Sequence, residues 1–198
     1  MIMGLTASQP VHLAQGLQEY LLIARPDTAA LEQLMSERKL FASQFQRPQL
    51  LQAEQHICIA SFLLGDQMEP TFIRWMHRAL GETAGFSINI SSFGADHKHT
   101  IYLRIEDQQP FAQLAKTLEP IDRQIRSFGS PGIDFNANVH LPLVARLDQA
   151  TYQAATAIYA EKKISASFDI KELVLVKRRD AFDPCRQVTI FRLQDAVK

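Results

Sequence analysis

Apolar and polar positions along this chain switch repeatedly between a period of two and a period near 3.6, the mark of strands alternating with helices. Gln18–Arg25 (QEYLLIAR) predicts a buried strand, stopped by Pro26-Asp27. Asp27 or Thr28 then caps a helix from Ala29 to Gln44, with Leu31, Leu34, Met35, Leu40 and Phe41 roughly on one face. Gln55–Phe62 alternates as a strand, and Pro70-Thr71 opens a second helix whose apolar side carries Phe72, Trp75, Met76 and Leu80. Phe86–Phe93 (FSINISSF) alternates strictly, Gly94-Ala95-Asp96 reads as a turn, and His99–Ile105 as the next strand. A third helix is expected over Pro110–Phe128, with a break near Pro120, followed by a loop at Ser127–Asp134. Asn138–Val144 is the next strand, and Asp148 caps a helix running to Glu161. Phe168–Lys177 and Gln187–Leu193 complete the strands, while residues 1–17 read as an N-terminal arm.

Written out this way, the chain repeats. His56 opens a strand that is followed by a helix, by Phe86-Ser-Ile-Asn-Ile and by Thr100-Ile-Tyr-Leu-Arg. His140 opens a strand that is followed by a helix, by Phe168-Asp-Ile-Lys-Glu-Leu and by Val188-Thr-Ile-Phe-Arg. The spacing is 30 residues from His56 to Phe86 and 28 from His140 to Phe168. Each copy holds more strand than one helix can cover, so pairing two lobes is the natural way to bury both sheets. Residues 18–198 are expected to form one such bilobal domain.

Side chains at i and i+2 of a strand share a face. Ile57 and Ile59 take the core, so His56 and Cys58 face the other way; Leu141 and Leu143 take the core, so His140 and Pro142 face out. Arg146 shares this parity and lines the same surface if the strand extends that far. Two imidazoles at one cleft suit phosphoester chemistry: one takes a proton from a hydroxyl or water, and the other protonates the leaving oxygen. Histidine serves because its ordinary pKa lies near neutrality.

Gln55-His-Ile-Cys-Ile-Ala and Val139-His-Leu-Pro-Leu-Val resemble the paired histidine–any residue–threonine or serine–hydrophobic motifs of the two-histidine phosphoesterases, the 2′-5′ RNA ligase and cyclic phosphodiesterase group. Phe168–Arg178 is similar to the strand after the second motif, and the order of elements matches from about Gln18 to Leu193. The resemblance implies an α+β, duplicated bilobal fold: two antiparallel sheets around a central groove with helices outside. It also implies metal-free hydrolysis of 2′,3′-cyclic phosphates or 2′-5′ linkages in RNA or nucleotides. His56 and His140 would be the catalytic pair, with no cofactor. The chain departs from the motif twice. Cys58 stands at the first hydroxyl position and is a weak donor. Pro142 stands at the second and has neither a side-chain donor nor an N–H. A groove that binds phosphate or nucleotide with weak or no turnover is the alternative function.

Composition narrows the partners. The 198 residues carry 21 basic and 21 acidic side chains, so a broad basic footprint for duplex DNA is absent. The expected partner is an RNA end or a small nucleotide bearing a cyclic phosphate or phosphodiester, with the protein a monomer. Two cysteines without metal-ligand spacing, no signal-like segment in Met1 to Pro10 and no membrane-length apolar run point to the reduced cytoplasm. Lys177, Arg178 and Arg179 form a basic strand end; the functional reading makes Lys177 a phosphate contact, and the plain one a solvated end. Tyr102 either stacks on a base in the groove or packs in the core. His97 and His99 have the spacing of a ligand pair but no third ligand, so no metal site is assigned. Cys58 reads as a small rim residue rather than a nucleophile, and Cys185 as an inert loop thiol.

Overall fold

The computed structural model describes residues 17–48, 55–179 and 183–195; of the expected arm only Leu17 falls among them. Strand β1 (Leu17–Ala24) is followed by helix α1 (Thr28–Gln44), whose first turn is closed by Asp27 accepting the Ala30 N–H at 2.9 Å. The buried stripe of α1 is Ala30, Leu34, Arg38, Phe41 and Ala42. Leu31 and Leu40, expected on that stripe, are exposed. Arg38, 2% exposed, takes a place on the buried stripe instead.

Strand β2 (Ile57–Gly65) leads through a short 3-10 turn into α2 (Glu69–Leu80), which buries Phe72, Met76 and Leu80. Strand β3 (Phe86–Asp96) is longer than its alternation implied. Gly94, Ala95 and Asp96 pair with Tyr102, Ile101 and Thr100 of β4 (Thr100–Ile105), so the turn moves on to residues 97–99. Helix α3 (Gln109–Ser127) runs unbroken through Pro120. Pro120 lies on the exposed side, where water can satisfy the carbonyl that loses its donor. Strand β5 (Ile133–Phe135) lies within and just past the expected loop and pairs with β2. Then come β6 (His140–Val144), α4 (Gln149–Ala160, with Asp148 accepting the Thr151 N–H at 3.0 Å), β7 (Lys163–Ile170), β8 (Glu172–Arg178) and β9 (Arg186–Arg192).

Two antiparallel sheets result, one ordered β5-β2-β1-β8-β9 and the other β6-β4-β3-β7, which is the α+β two-sheet architecture expected. The expected single strand Phe168–Lys177 is two strands. β7 pairs with β3, and after Lys171 the chain changes sheets so that β8 pairs with β1. The four apolar residues Leu173–Val176 are all buried because this segment lies inside a sheet with packing on both faces. The repeat is therefore interleaved. β3 and β4, which follow His56, join the sheet of His140, whereas β8 and β9 join the sheet of His56. A large core lies between helices and sheets, with α1 and α4 against the four-stranded sheet. A smaller cluster of Leu21, Ile23, Val174 and Val176 covers the other face of the five-stranded sheet.

Candidate functional site

The two histidine strands come together where the chain passes from one sheet to the other. Beyond β5, the Asn136 N–H donates to the Ile59 carbonyl at 2.9 Å and its amide donates to the Cys58 carbonyl at 3.2 Å. Gln108 then brackets the residue before His140: its amide donates to the Val139 carbonyl and its oxygen accepts the Val139 N–H, both at 2.9 Å. From the other sheet, the Gln55 side chain reaches between the Pro142 carbonyl and Arg38 Nη1; with its amide nitrogen turned to the carbonyl, the orientation these two neighbours require, it donates there and its oxygen accepts from Arg38 at 2.9 Å. The residue preceding His56 is thus bonded to the residue two beyond His140.

His140 is half-buried, and its Nδ1 lies 2.8 Å from the Asn138 carbonyl. A carbonyl only accepts, so Nδ1 carries the proton and the neutral ring keeps its lone pair on Nε2. The Tyr102 ring packs at a tilt against the imidazole, centroids 4.2 Å apart, and is itself buried at 7% exposure. Tyr102 lies in turn against Gly94, where a Cβ would come 2.5 Å from the phenol ring, so only glycine admits the aromatic here. Pro142 is paired with Tyr102 across β6 and β4. His56 is half-buried just before β2, with Nδ1 shielded from solvent. Cys58 follows on the rim of the small apolar cluster, its Sγ directed to the Ala60 carbonyl at 3.9 Å.

Burial pushes the Cys58 thiol up to about 11, against the pull of the Arg178 charge. Its thiolate is scarce at neutral pH, which argues against a nucleophile. Iodoacetamide at pH 7.5 should modify Cys58 at least about tenfold more slowly than free cysteine, after allowing for the greater intrinsic reactivity of a high-pKa thiolate. Peptide mass spectrometry over time checks this, and modification at the rate of free cysteine would restore the nucleophile reading.

Two expected residues sit differently from their reading in the sequence. Strand β6 ends at Val144, and Arg146 lies beyond it, exposed, at φ 58°, so the parity it was to share with His140 is lost. Lys177 faces α2 with Leu173 and Leu175, on the side of the sheet opposite Cys58. There it donates to Glu69 at 2.6 Å, lies 3.6 Å from Asp66 and sits over the Tyr20 ring. Burial raises the Glu69 pKa, but hydrogen bonds from Lys177 and Tyr20 outweigh it and hold the carboxyl below its ordinary range. The neighbouring cation on the Cys58 side is Arg178, ion-paired with Glu19. His99 bonds the Leu147 carbonyl through Nδ1 and stacks on Tyr152, while His77 is exposed with an edge contact to Phe191. Among the described residues no three His, Cys, Asp or Glu side chains cluster as metal ligands, and no helix is long and apolar enough to cross a membrane.

Sequence reasoning missed Gln55, Gln108 and Arg104. The parity of Thr100-Ile-Tyr-Leu-Arg was enough to put Arg104 on the face of Tyr102; nothing in the sequence marked the glutamines. Gln108 supports a buried peptide, since Val139 is 1% exposed. Gln108→Leu should cost about 1–3 kcal/mol of stability by stranding that N–H and C=O. Urea denaturation measures it, and an unchanged midpoint would show that Gln108 does not hold the His140 strand.

Two interleaved antiparallel sheets that join at a pair of histidine strands define the architecture of the two-histidine phosphoesterases. The family described as the 2′-5′ RNA ligase superfamily matches residues 26–181, and the chain belongs to it. Among solved structures, E. coli LigT in apo form is 13% identical over 90% of this chain and 99% of its own, with a TM-score of 0.61. E. coli LigT complexed with 3′-AMP matches over the same shares at 13% identity and a TM-score of 0.58. TT0787 of Thermus thermophilus is 14% identical over 90% and 98%, also with a TM-score of 0.58. No curated protein matches the chain by sequence.

Proposed function

We propose that the chain is a phosphodiesterase of the 2′-5′ RNA ligase-like type, acting without metal on a 2′,3′-cyclic phosphate or a 2′-5′ linkage at an RNA end or in a small nucleotide. The observation that carries this reading is the join of the two motifs: Gln55 bonded to Pro142, with the His140 ring oriented by Asn138. One imidazole takes a proton from water as its oxygen attacks phosphorus. The other gives a proton to the 2′ or 3′ oxygen as the P–O bond breaks. LigT has been crystallised with phosphate, ATP, NADP+ and 3′-AMP, which supports a nucleotide as the ligand class.

The protein acts as a cytoplasmic monomer in this reading, with residues 18–198 as one catalytic unit. Pro142 favours a second reading, in which the same surface binds phosphate or nucleotide without turning it over. Incubation with adenosine 2′,3′-cyclic phosphate in the presence of EDTA, followed by chromatography of the products, separates them. Formation of a nucleoside monophosphate supports the enzyme. Absence of product, together with phosphate-induced NMR shifts of both histidines, supports the binding module. Absence of both overturns the site.

A further inference from the structure

The register of the four-stranded sheet carries the site beyond His140. His140 is paired with Arg104, Arg104 with Ser92, and Ser92 with Lys163, so one row crosses all four strands, passing a β-bulge beside Ser92 where the register shifts in both of its ladders. Direct partners in an antiparallel sheet project from the same face. On either side of the bulge Ile90, Phe93, Leu103 and Leu141 are in the core, while Ser91, Arg104 and Lys163 are exposed, which puts the row on the polar side. Arg104 and Lys163 are both exposed, and neither has an ion-pair partner among the described residues. Lys163 also borders an open cavity of about 610 Å³ that Asn89, Ser91, Glu106, Ser165 and Ser167 help to line. Backbones in adjacent strands lie about 5 Å apart, which sets the Arg104 backbone beside that of His140 and the Lys163 backbone about 10 Å further along the row.

We propose that this row is an extended anion site, in which Arg104 holds the reacting phosphate beside His140 and Lys163 holds a second phosphate on the 5′ side of the same nucleoside. The inference rests on the phosphodiesterase reading and adds a substrate class to it: ligands with two phosphates rather than one. Arg104 supplies the charged donor that Pro142 lacks. A guanidinium offers a planar fork to phosphate oxygens, and a lysine serves the second phosphate as a point charge.

Three probes test it: adenosine 2′,3′-cyclic phosphate, the same compound bearing a 5′-phosphate, and a diadenylate ending in a 2′,3′-cyclic phosphate. Arg104→Gln should lower kcat/KM for all three by about ten- to a hundredfold, as expected for loss of one charge-assisted donor. Lys163→Gln should lower the two probes with a second phosphate about tenfold more than the first, and Lys116→Gln on the exposed side of α3 should change none. If Lys163→Gln affects only the diadenylate, the second phosphate is that of an RNA chain; if both, a terminal 5′-phosphate suffices. Unchanged rates in Arg104→Gln, or an equal loss on all probes in Lys163→Gln, overturn the row while leaving the histidine site standing. A wild type inactive on all three, or one whose turnover survives His140→Ala, overturns the phosphodiesterase reading itself and the row with it.

Discussion

Replacing His140 with alanine should lower hydrolysis of adenosine 2′,3′-cyclic phosphate by about a hundred- to ten-thousandfold, and His56→Ala should do the same, because each imidazole carries one of the two proton transfers. The double variant should lose little beyond the worse single one, since residues that act as a unit are not additive. Half-buried rings at strand starts are not core residues, so the variants should fold; far-UV circular dichroism and the urea midpoint establish that independently. The wild-type pH–rate profile should be bell-shaped, and each single variant should lose one limb of it. Steady-state rates from pH 5 to 9 decide the matter. A variant that retains wild-type kcat/KM removes that histidine from the chemistry.

Much of this architecture is local and therefore visible in the order of residues alone. Asp27, Pro70 and Asp148 each act within one turn of the helix they start, so their roles follow from residue type and position. The histidine parities are equally local, because Ile57, Ile59, Leu141 and Leu143 are all in the core as the alternation demands. Long-range pairing is another matter. Nothing in the run from Phe168 to Lys177 marks Lys171 as the point where the chain leaves one sheet for the other, since both halves are strand-like. Strand β5 is three residues long and exists because β2 offers it an edge. Arg146 was reached by extending a strand that the left-handed residue itself helps to end. Lys177 was judged by its charge alone, whereas its fate is set by Glu69, 108 positions away in sequence. Arg104 was legible by parity, but its place opposite His140 is a pairing that only the fold creates.

The departures from the motif at Cys58 and Pro142 lead to the second large expected effect. Pro142→Thr should raise the rate of cyclic phosphate hydrolysis by about tenfold, and the double variant with Cys58→Thr by up to about a hundredfold, if each new hydroxyl donates to the phosphate in the transition state. The backbone should tolerate the proline change. β6 is an edge strand, and the Pro142 carbonyl accepts from Gln55 rather than from β4. The N and C=O of one strand residue point to the same side, so a threonine N–H would face Gln55 and would not disturb the β4 ladder. Cys58 is near-isosteric with threonine less a methyl, and its thiol donates only weakly, so the first substitution adds a hydroxyl at the margin of the small cluster with little repacking. Rates for the wild type, both single variants and the double variant, each repeated on a His56→Ala background, test the idea, because a gain that persists without His56 does not arise at this site. A wild type that already turns over rapidly and slows when the hydroxyls are introduced would mean that Cys58 and Pro142 belong to a working site shaped for a different substrate. In that case the phosphate is held by charge from Arg104 rather than by hydroxyl donors, and the Arg104→Gln loss should be largest in the wild type and smallest in the double threonine variant.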